Sequence, residues 1–254
     1  EIPFRVETKR NDPFVGRDEP LAELERAWND ARAGRGAVAV ISGEAGIGKT
    51  RLADELVTRV RASGSRSLVG FCPPPGGVPP LWPWVRALRG IEEQEGPGAL
   101  EAFAKRARVD LNDLLPEHLA LEATARPADG SPAQFAQFAL LDALERLLAA
   151  LAAERPLLLV LDDLHWADRS TLRALEHVAR GVERQRLLVV ATFREEEVDA
   201  QHPLHALLAV LARGPEDLRV RLGPLDEPTS DLLVSTLSAQ AVPAEMARAI
   251  RMRS

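Results

Sequence analysis

The octapeptide Gly43-Glu44-Ala45-Gly46-Ile47-Gly48-Lys49-Thr50 constrains this chain more than any other stretch. It fits the phosphate-loop pattern G-x-x-x-x-G-K-[ST] without a mismatch. The run before it, Ala37-Val38-Ala39-Val40-Ile41, has the apolar, β-branched character of a buried strand. Residues 51–61 follow with Leu52, Leu56 and Val60 at i, i+4 and i+8, the spacing of a helix. Glycines at 43, 46 and 48 allow the backbone to form a nest of inward N–H groups. The helix start near Lys49 adds its positive dipole end. Lys49 is suited to place a charge on the β- and γ-phosphates of a nucleotide, and the Thr50 hydroxyl to ligate Mg²⁺.

A second segment completes that chemistry. Pro156-Leu157-Leu158-Leu159-Val160-Leu161 is a continuous apolar run that ends in Asp162-Asp163. A strand buried on both faces that delivers acids at its C-terminal end suits a parallel α/β sheet. This is the form of a Walker B element. Asp162 is the expected Mg²⁺ ligand, and Asp163 is the candidate to orient or activate the attacking water. The alternative for Asp163 is to cap the loop that follows. Leu187-Leu188-Val189-Val190-Ala191-Thr192 reads as another buried strand, ending in Phe193-Arg194 and then Glu195-Glu196-Glu197. Two roles stand for Arg194: a sensor at the γ-phosphate, or a surface partner of the adjacent acids.

The chain has 254 residues, enough for one sizeable core and the start of a second lobe. Its net charge of −6 argues against an electrostatic grip on DNA or RNA by this segment. Cys72 is the only cysteine, which excludes an intrachain disulfide and fits a reducing, cytoplasmic location. No apolar run reaches membrane-spanning length. His202 and His205 alone among the five histidines have helical ligand spacing, and no acid or cysteine cluster joins them, so zinc is not expected. The chain starts at Glu1 without methionine and stops at Ser254 inside a helical pattern, as a piece of a longer protein would.

Three parts are expected. Residues 1–13 form a polar tail or linker. Residues 14–225 form the nucleotide-binding domain, with a helical insert at about 81–153. Residues 226–254 begin a helical lid. Within the domain, Asp18 is a candidate N-cap for a helix carrying Leu21, Leu24 and Trp28, with Pro20 in its first turn. Residues 67–71 read as a strand, and the proline-rich stretch 72–80 as a rigid loop before Leu81-Trp82-Pro83-Trp84. Residues 116–131 read as loop. A long helix over about 133–153 is expected to bury Phe135, Phe138, Leu141, Leu144, Leu148 and Leu151. Residues 218–222 supply a last strand, and Pro243 to Met252 a second lid helix.

Taken together, Val15-Gly16-Arg17, the phosphate loop continued by Arg51-Leu52, Leu81-Trp82-Pro83-Trp84, Leu161-Asp162-Asp163-Leu164-His165-Trp166-Ala167-Asp168, Ala191-Thr192-Phe193-Arg194 and Leu222-Gly223-Pro224-Leu225 resemble the STAND ATPases. These are signal-transduction ATPases with numerous domains, related to the AAA+ proteins. The match is strongest to the ATPase module of large LuxR-type and antibiotic-regulatory-protein-type bacterial transcription regulators. Similar modules are fused to adenylate cyclase domains. The resemblance implies an α/β fold of the ASCE P-loop NTPase type: a parallel sheet in the order 5-1-4-3-2, flanked by helices. It implies that Gly16 and Arg17 lie near the adenine, that Pro224 closes over the base, and that Arg194 senses the γ-phosphate. The nucleotide-contacting set is then Val15, Gly16, Arg17, Gly43 to Arg51 and Pro224, with ATP or ADP and Mg²⁺ bound. The proline-rich loop at 73–80 departs from the usual pattern.

Two functional readings follow. In the first, ADP holds a compact resting state, ATP favours an assembling state, and slow hydrolysis resets the switch. Partners are then a second copy or other domains of the same longer chain, with DNA reached only through a domain outside this segment. In the second, the chain is a fast ATPase machine or a phosphotransferase acting on a separate substrate.

Overall fold

The computed structural model describes residues 14–76, 78–111, 132–212 and 217–238. The expected tail at 1–13, the loop at 116–131 and the second lid helix lie outside these residues. Five strands form one parallel sheet: β1 (Ala37–Gly43), β2 (Arg66–Phe71), β3 (Leu157–Asp162), β4 (Leu187–Arg194) and β5 (Asp217–Arg221). Their order is β2-β3-β4-β1-β5, which is the expected 5-1-4-3-2 read from the other edge.

Alternation along the strands feeds two cores. Val38 and Val40 of β1, Leu157, Leu159 and Leu161 of β3, and Leu187, Val189 and Ala191 of β4 face one side. They pack there with α3 (Trp82–Glu95), α4 (Ala99–Ala107), α5 (Pro132–Glu154), α6 (Arg169–Gly181) and α7 (Pro203–Leu211). Ala37, Ala39, Ile41, Leu158, Val160, Leu188 and Val190 face the other side, covered by α1 (Asp18–Arg32) and α2 (Lys49–Ala62). The continuous apolar runs of β1, β3 and β4 are therefore runs with two buried faces. A further helix, α8 (Glu227–Ser238), follows β5. No helix among the described residues is long and apolar enough to cross a membrane.

The described residues between β2 and β3 include α3, α4 and α5, and α3 is keyed to the sheet at one close approach. A Cβ added at Gly70 would lie 2.0 Å from the carbonyl oxygen of Pro83, so α3 can cross β2 there only because residue 70 has no side chain. The indole of Trp84 is buried and donates to Thr171 O of α6 at 3.3 Å. Asp168 caps α6 by accepting from the backbone N–H groups of Ser170 and Thr171 at 2.9 and 3.0 Å.

Three local expectations change. Asp18 is the first residue of α1 and makes no cap; Arg17 holds the cap position and its side chain does not cap the helix. Phe138 is 65% exposed and stacks edge-on against His177, while Leu144, Leu148 and Leu151 of α5 are buried. The α5 stripe thus begins deeper in the helix than the sequence pattern indicates, and the side chain of Phe135 lies outside the described residues. Asp163 gives no side-chain cap to the turn at Leu164–Trp166.

Candidate nucleotide site

The C-terminal ends of the parallel strands bring the predicted residues together, as expected for a ligand crevice in an open α/β sheet. Residue pairing places Gly43, the first residue of the phosphate loop, beside Arg194 at the tip of β4. The loop turns from β1 into α2 through Gly46 and Gly48, at φ 76° and 102°, values that favour glycine. A Cβ built on either would meet no heavy atom within 4 Å, so the loop leaves an open concavity over the start of α2. Glu44, Ala45 and Gly46 are exposed at its tip, and Ile47 is half-buried.

Lys49 is buried beneath the loop. Its ammonium donates to the carbonyl oxygens of Gly43 and Glu44, both at 2.7 Å. Burial pulls its pKa below the usual lysine value, and the carboxylates of Glu196, Asp163 and Asp162 oppose that shift. These carbonyl bonds hold the charge inside the loop, where phosphate oxygens could replace them.

The hydroxyl of Thr50 donates to Asp162 Oδ2 at 3.0 Å and lies 3.2 Å from Oδ1. Thr192, on β4, donates to Oδ1 at 2.6 Å and accepts from the backbone N–H of Asp163 at 3.0 Å. A hydroxyl and a buried carboxylate at this separation are a donor set that fits a hard divalent cation. Thr192 fixes the carboxylate from behind and was not a predicted site residue. Its only sequence signal is a polar residue in the last turns of an apolar strand.

Asp163 adopts the left-handed conformation at φ 60°, one of three described non-glycine residues with positive φ. That backbone, sparsely populated for a non-glycine residue, turns the chain sharply out of β3. His165, two residues on, has a fully buried side chain between two acids. Its Nδ1 lies 3.9 Å from Asp163 Oδ1 and its Nε2 3.7 Å from Glu197 Oε2. Neither nitrogen has a hydrogen-bond partner among the described residues. Burial lowers its pKa to about 4 against the raising influence of Glu197.

Arg194 takes up an arrangement that includes the surface pairing considered above. Its guanidinium bonds Glu197 at 2.7 Å and lies 5.0 Å from the centre of the Trp166 ring. Glu197 also accepts from the Trp166 indole at 3.1 Å. Glu195 accepts from Ser42 at 2.6 Å and pairs with Arg221 at 2.7 Å. Glu196 accepts from the backbone N–H of Ala45, inside the phosphate loop, at 2.8 Å. The acidic turn was read only as the neighbour of Arg194; in the fold it also braces the loop.

Arg17 joins three segments. One guanidinium nitrogen donates to Gly223 O at 2.6 Å and lies 3.2 Å from Ile47 O. It thereby ties the turn before α1 to the phosphate loop and to the segment after β5. Burial lowers the Arg17 pKa. Gly16, at φ 69°, lies so close to α8 that a Cβ would approach Thr229 Cγ2 to 2.1 Å. Val15 is half-buried on the same turn, and Pro224 is exposed immediately after the carbonyl that Arg17 holds. Arg51 pairs with Glu55 at 3.1 Å and lies 5.3 Å from the Phe14 ring centre, so it faces the N-terminal turn.

Comparison with known proteins gives the following. A family model described as AAA ATPase domain matches residues 13–190, more than half of the chain. The curated protein R02095 of Rhizobium meliloti (strain 1021), named as uncharacterized, is 31% identical over 212 residues. That alignment covers 78% of this chain, and the chain spans 20% of the relative's length. Domain III of the Thermotoga maritima replication initiation protein DnaA aligns with a TM-score of 0.46 and 16% identity, over 93% of this chain and 75% of that one. A STAND protein with a tetratricopeptide repeat sensor, PH0952 from Pyrococcus horikoshii, aligns with a TM-score of 0.40 and 17% identity, over 96% of this chain and 28% of that one. The assignment rests on the family model together with the strand order and the loop described above: the chain belongs to the AAA ATPase domain family.

Proposed function

We propose that this domain binds ATP or ADP with Mg²⁺ and hydrolyses ATP slowly, as the nucleotide switch of a larger bacterial transcription regulator. The observation that carries the reading is the meeting of Lys49, Thr50, Asp162, Asp163 and Arg194 at one end of the sheet. In this reading Lys49 and the loop amides hold the phosphates, and Thr50 and Asp162 would hold Mg²⁺, which would supply charge neutralisation to the phosphate chain. Asp163 orients the attacking water. Arg194 leaves Glu197 to meet the terminal phosphate. Val15, Gly16, Arg17 and Pro224 lie on the adenine side, and Arg51 flanks the loop.

The switch reading is supported by the way Arg17 spans the phosphate loop and the segment leading to α8. A nucleotide that moves the loop changes the footing of whatever follows β5. Residues 14–225 form the nucleotide-binding unit in this view, residues 226–254 the start of a lid, and residues 1–13 a linker. Output passes to other domains of a longer chain or to a second copy, with DNA contacted elsewhere. The location is cytoplasmic.

Equilibrium titration with a fluorescent ADP and a non-hydrolysable ATP analogue tests the assignment. Lys49→Ala should weaken both by about tenfold or more, and Arg194→Ala should reduce discrimination between them. Unchanged affinity in Lys49→Ala would remove the phosphate-loop reading.

A further inference from the structure

The turn at Glu195–Glu197 is held from three directions. Glu195 is fixed by Ser42 of β1 and Arg221 of β5, and Glu197 by Trp166 and Arg194. Between them, the exposed carboxylate of Glu196 is left to reach the phosphate loop, where Oε1 takes the N–H of Ala45 at 2.8 Å. An anion of this chain therefore occupies one of the backbone donors that make the loop an anion site.

The same carboxylate acts on both cations of the site. Glu196 is the leading charge that offsets the burial of the Lys49 ammonium, and Lys49 and Arg194 both stabilise the ionised Glu196. On the phosphate-loop reading, Lys49 and Arg194 face the far end of a bound triphosphate. A phosphate oxygen cannot share the Ala45 N–H with a carboxylate oxygen without bringing two negative charges into contact. On the same reading the terminal phosphate is the one that meets the Ala45 N–H, so a diphosphate leaves the Glu196 contact in place and a triphosphate displaces it.

We propose that Glu196 is an internal competitor of the terminal phosphate and sets the ratio of triphosphate to diphosphate affinity in favour of ADP. This rests on the phosphate-loop reading above. It makes the acidic turn, rather than Arg194 alone, the part that distinguishes the two nucleotides. When Glu196 leaves the loop, the bracing of β4 against β1 through Glu195 and the pairing of Arg194 with Glu197 both become free to change.

The test is equilibrium titration of the wild type, Glu196→Gln, Glu196→Ala and Lys49→Ala with ADP and with a non-hydrolysable ATP analogue, each with Mg²⁺. Glutamine keeps an acceptor for Ala45 N–H and removes the charge; alanine removes both. Both Glu196 variants should tighten the ATP analogue about five- to twentyfold while leaving ADP within about twofold, and the gain in Glu196→Gln should shrink as salt rises. An unchanged ratio, or one that moves toward ADP, overturns the proposal while a weakened Lys49→Ala leaves the phosphate-loop reading standing. Undiminished binding in Lys49→Ala overturns that reading itself. Because the Glu196 side chain is exposed, circular dichroism of both variants should match the wild type.

Discussion

The Thr50 hydroxyl lies 3.0 Å from Oδ2 of Asp162, although 112 residues separate the two. The first turn of α2 and the end of β3 meet there because β3 and β1 flank β4 in one parallel sheet. Everything proposed for this chain depends on that convergence.

Thr192 positions the acid. It is buried, and its hydroxyl donates to Asp162 at 2.6 Å. Thr192→Val keeps the shape and removes the bond, which costs about 1–3 kcal/mol of stability for a buried bond to a charged group. The same change should weaken Mg²⁺-dependent nucleotide binding about 10–100-fold, the usual scale for a residue that orients a ligand. Thr192→Ser should restore most of both. Urea unfolding and nucleotide titration across a Mg²⁺ series provide the measurements.

Asp163 is the carboxylate proposed to orient the attacking water, and its backbone is in the left-handed region. Its left-handed backbone costs roughly 1 kcal/mol relative to glycine. Asp163→Gly should therefore match or exceed the wild type in unfolding midpoint. Hydrolysis should fall by about a hundredfold, the scale of a lost general base. A variant that stays fully active would assign the carboxylate to the turn alone.

The loop, β1, β3 and β4 are legible in the sequence because each is a local signal: an apolar run two faces deep, or glycines before Lys49. Arg194 beside Gly43 is legible only at the level of topology, once the order of strands is known. The roles of Thr192 and Glu196 are not, because they depend on register. A threonine among valines reads as a good strand former, and an acidic run reads as a solvated surface, until β4 is set between β3 and β1. Asp18 shows the same limit from the other side. It has the composition of a cap, yet it opens the helix while Arg17 before it reaches 206 residues ahead to Gly223.

His165 predicts an acid-sensitive fold. Burial lowers its folded pKa to about 4, below the ordinary value of 6.5. The unfolded chain therefore binds the proton more readily between those values. Stability from this group is full above pH 6.5 and is lost as pH falls toward 4, by on the order of 2–3 kcal/mol. His165→Gln should flatten that slope in urea midpoints measured from pH 7 to 4.5. An equal slope in the variant would place the acid sensitivity elsewhere.

Arg17 should couple the loop to the segment after β5. Arg17→Ala removes the one guanidinium nitrogen that reaches both carbonyls. Hydrogen exchange at residues 223–226 should speed up several-fold in the variant, and nucleotide affinity should fall. Exchange that is unchanged would mean that the Gly223 contact does not restrain this segment.

A nucleotide switch turns over slowly, because hydrolysis only resets it. Steady-state phosphate release from Mg·ATP, with Lys49→Ala as the control, tests the switch reading most directly. A switch should release phosphate at ~10⁻⁴ to 10⁻² per second, with the activity abolished in Lys49→Ala. A Lys49-dependent rate of several per second or more, in the range of working enzymes at ~1–1000 per second, would contradict the account and point to an ATPase whose purpose is turnover.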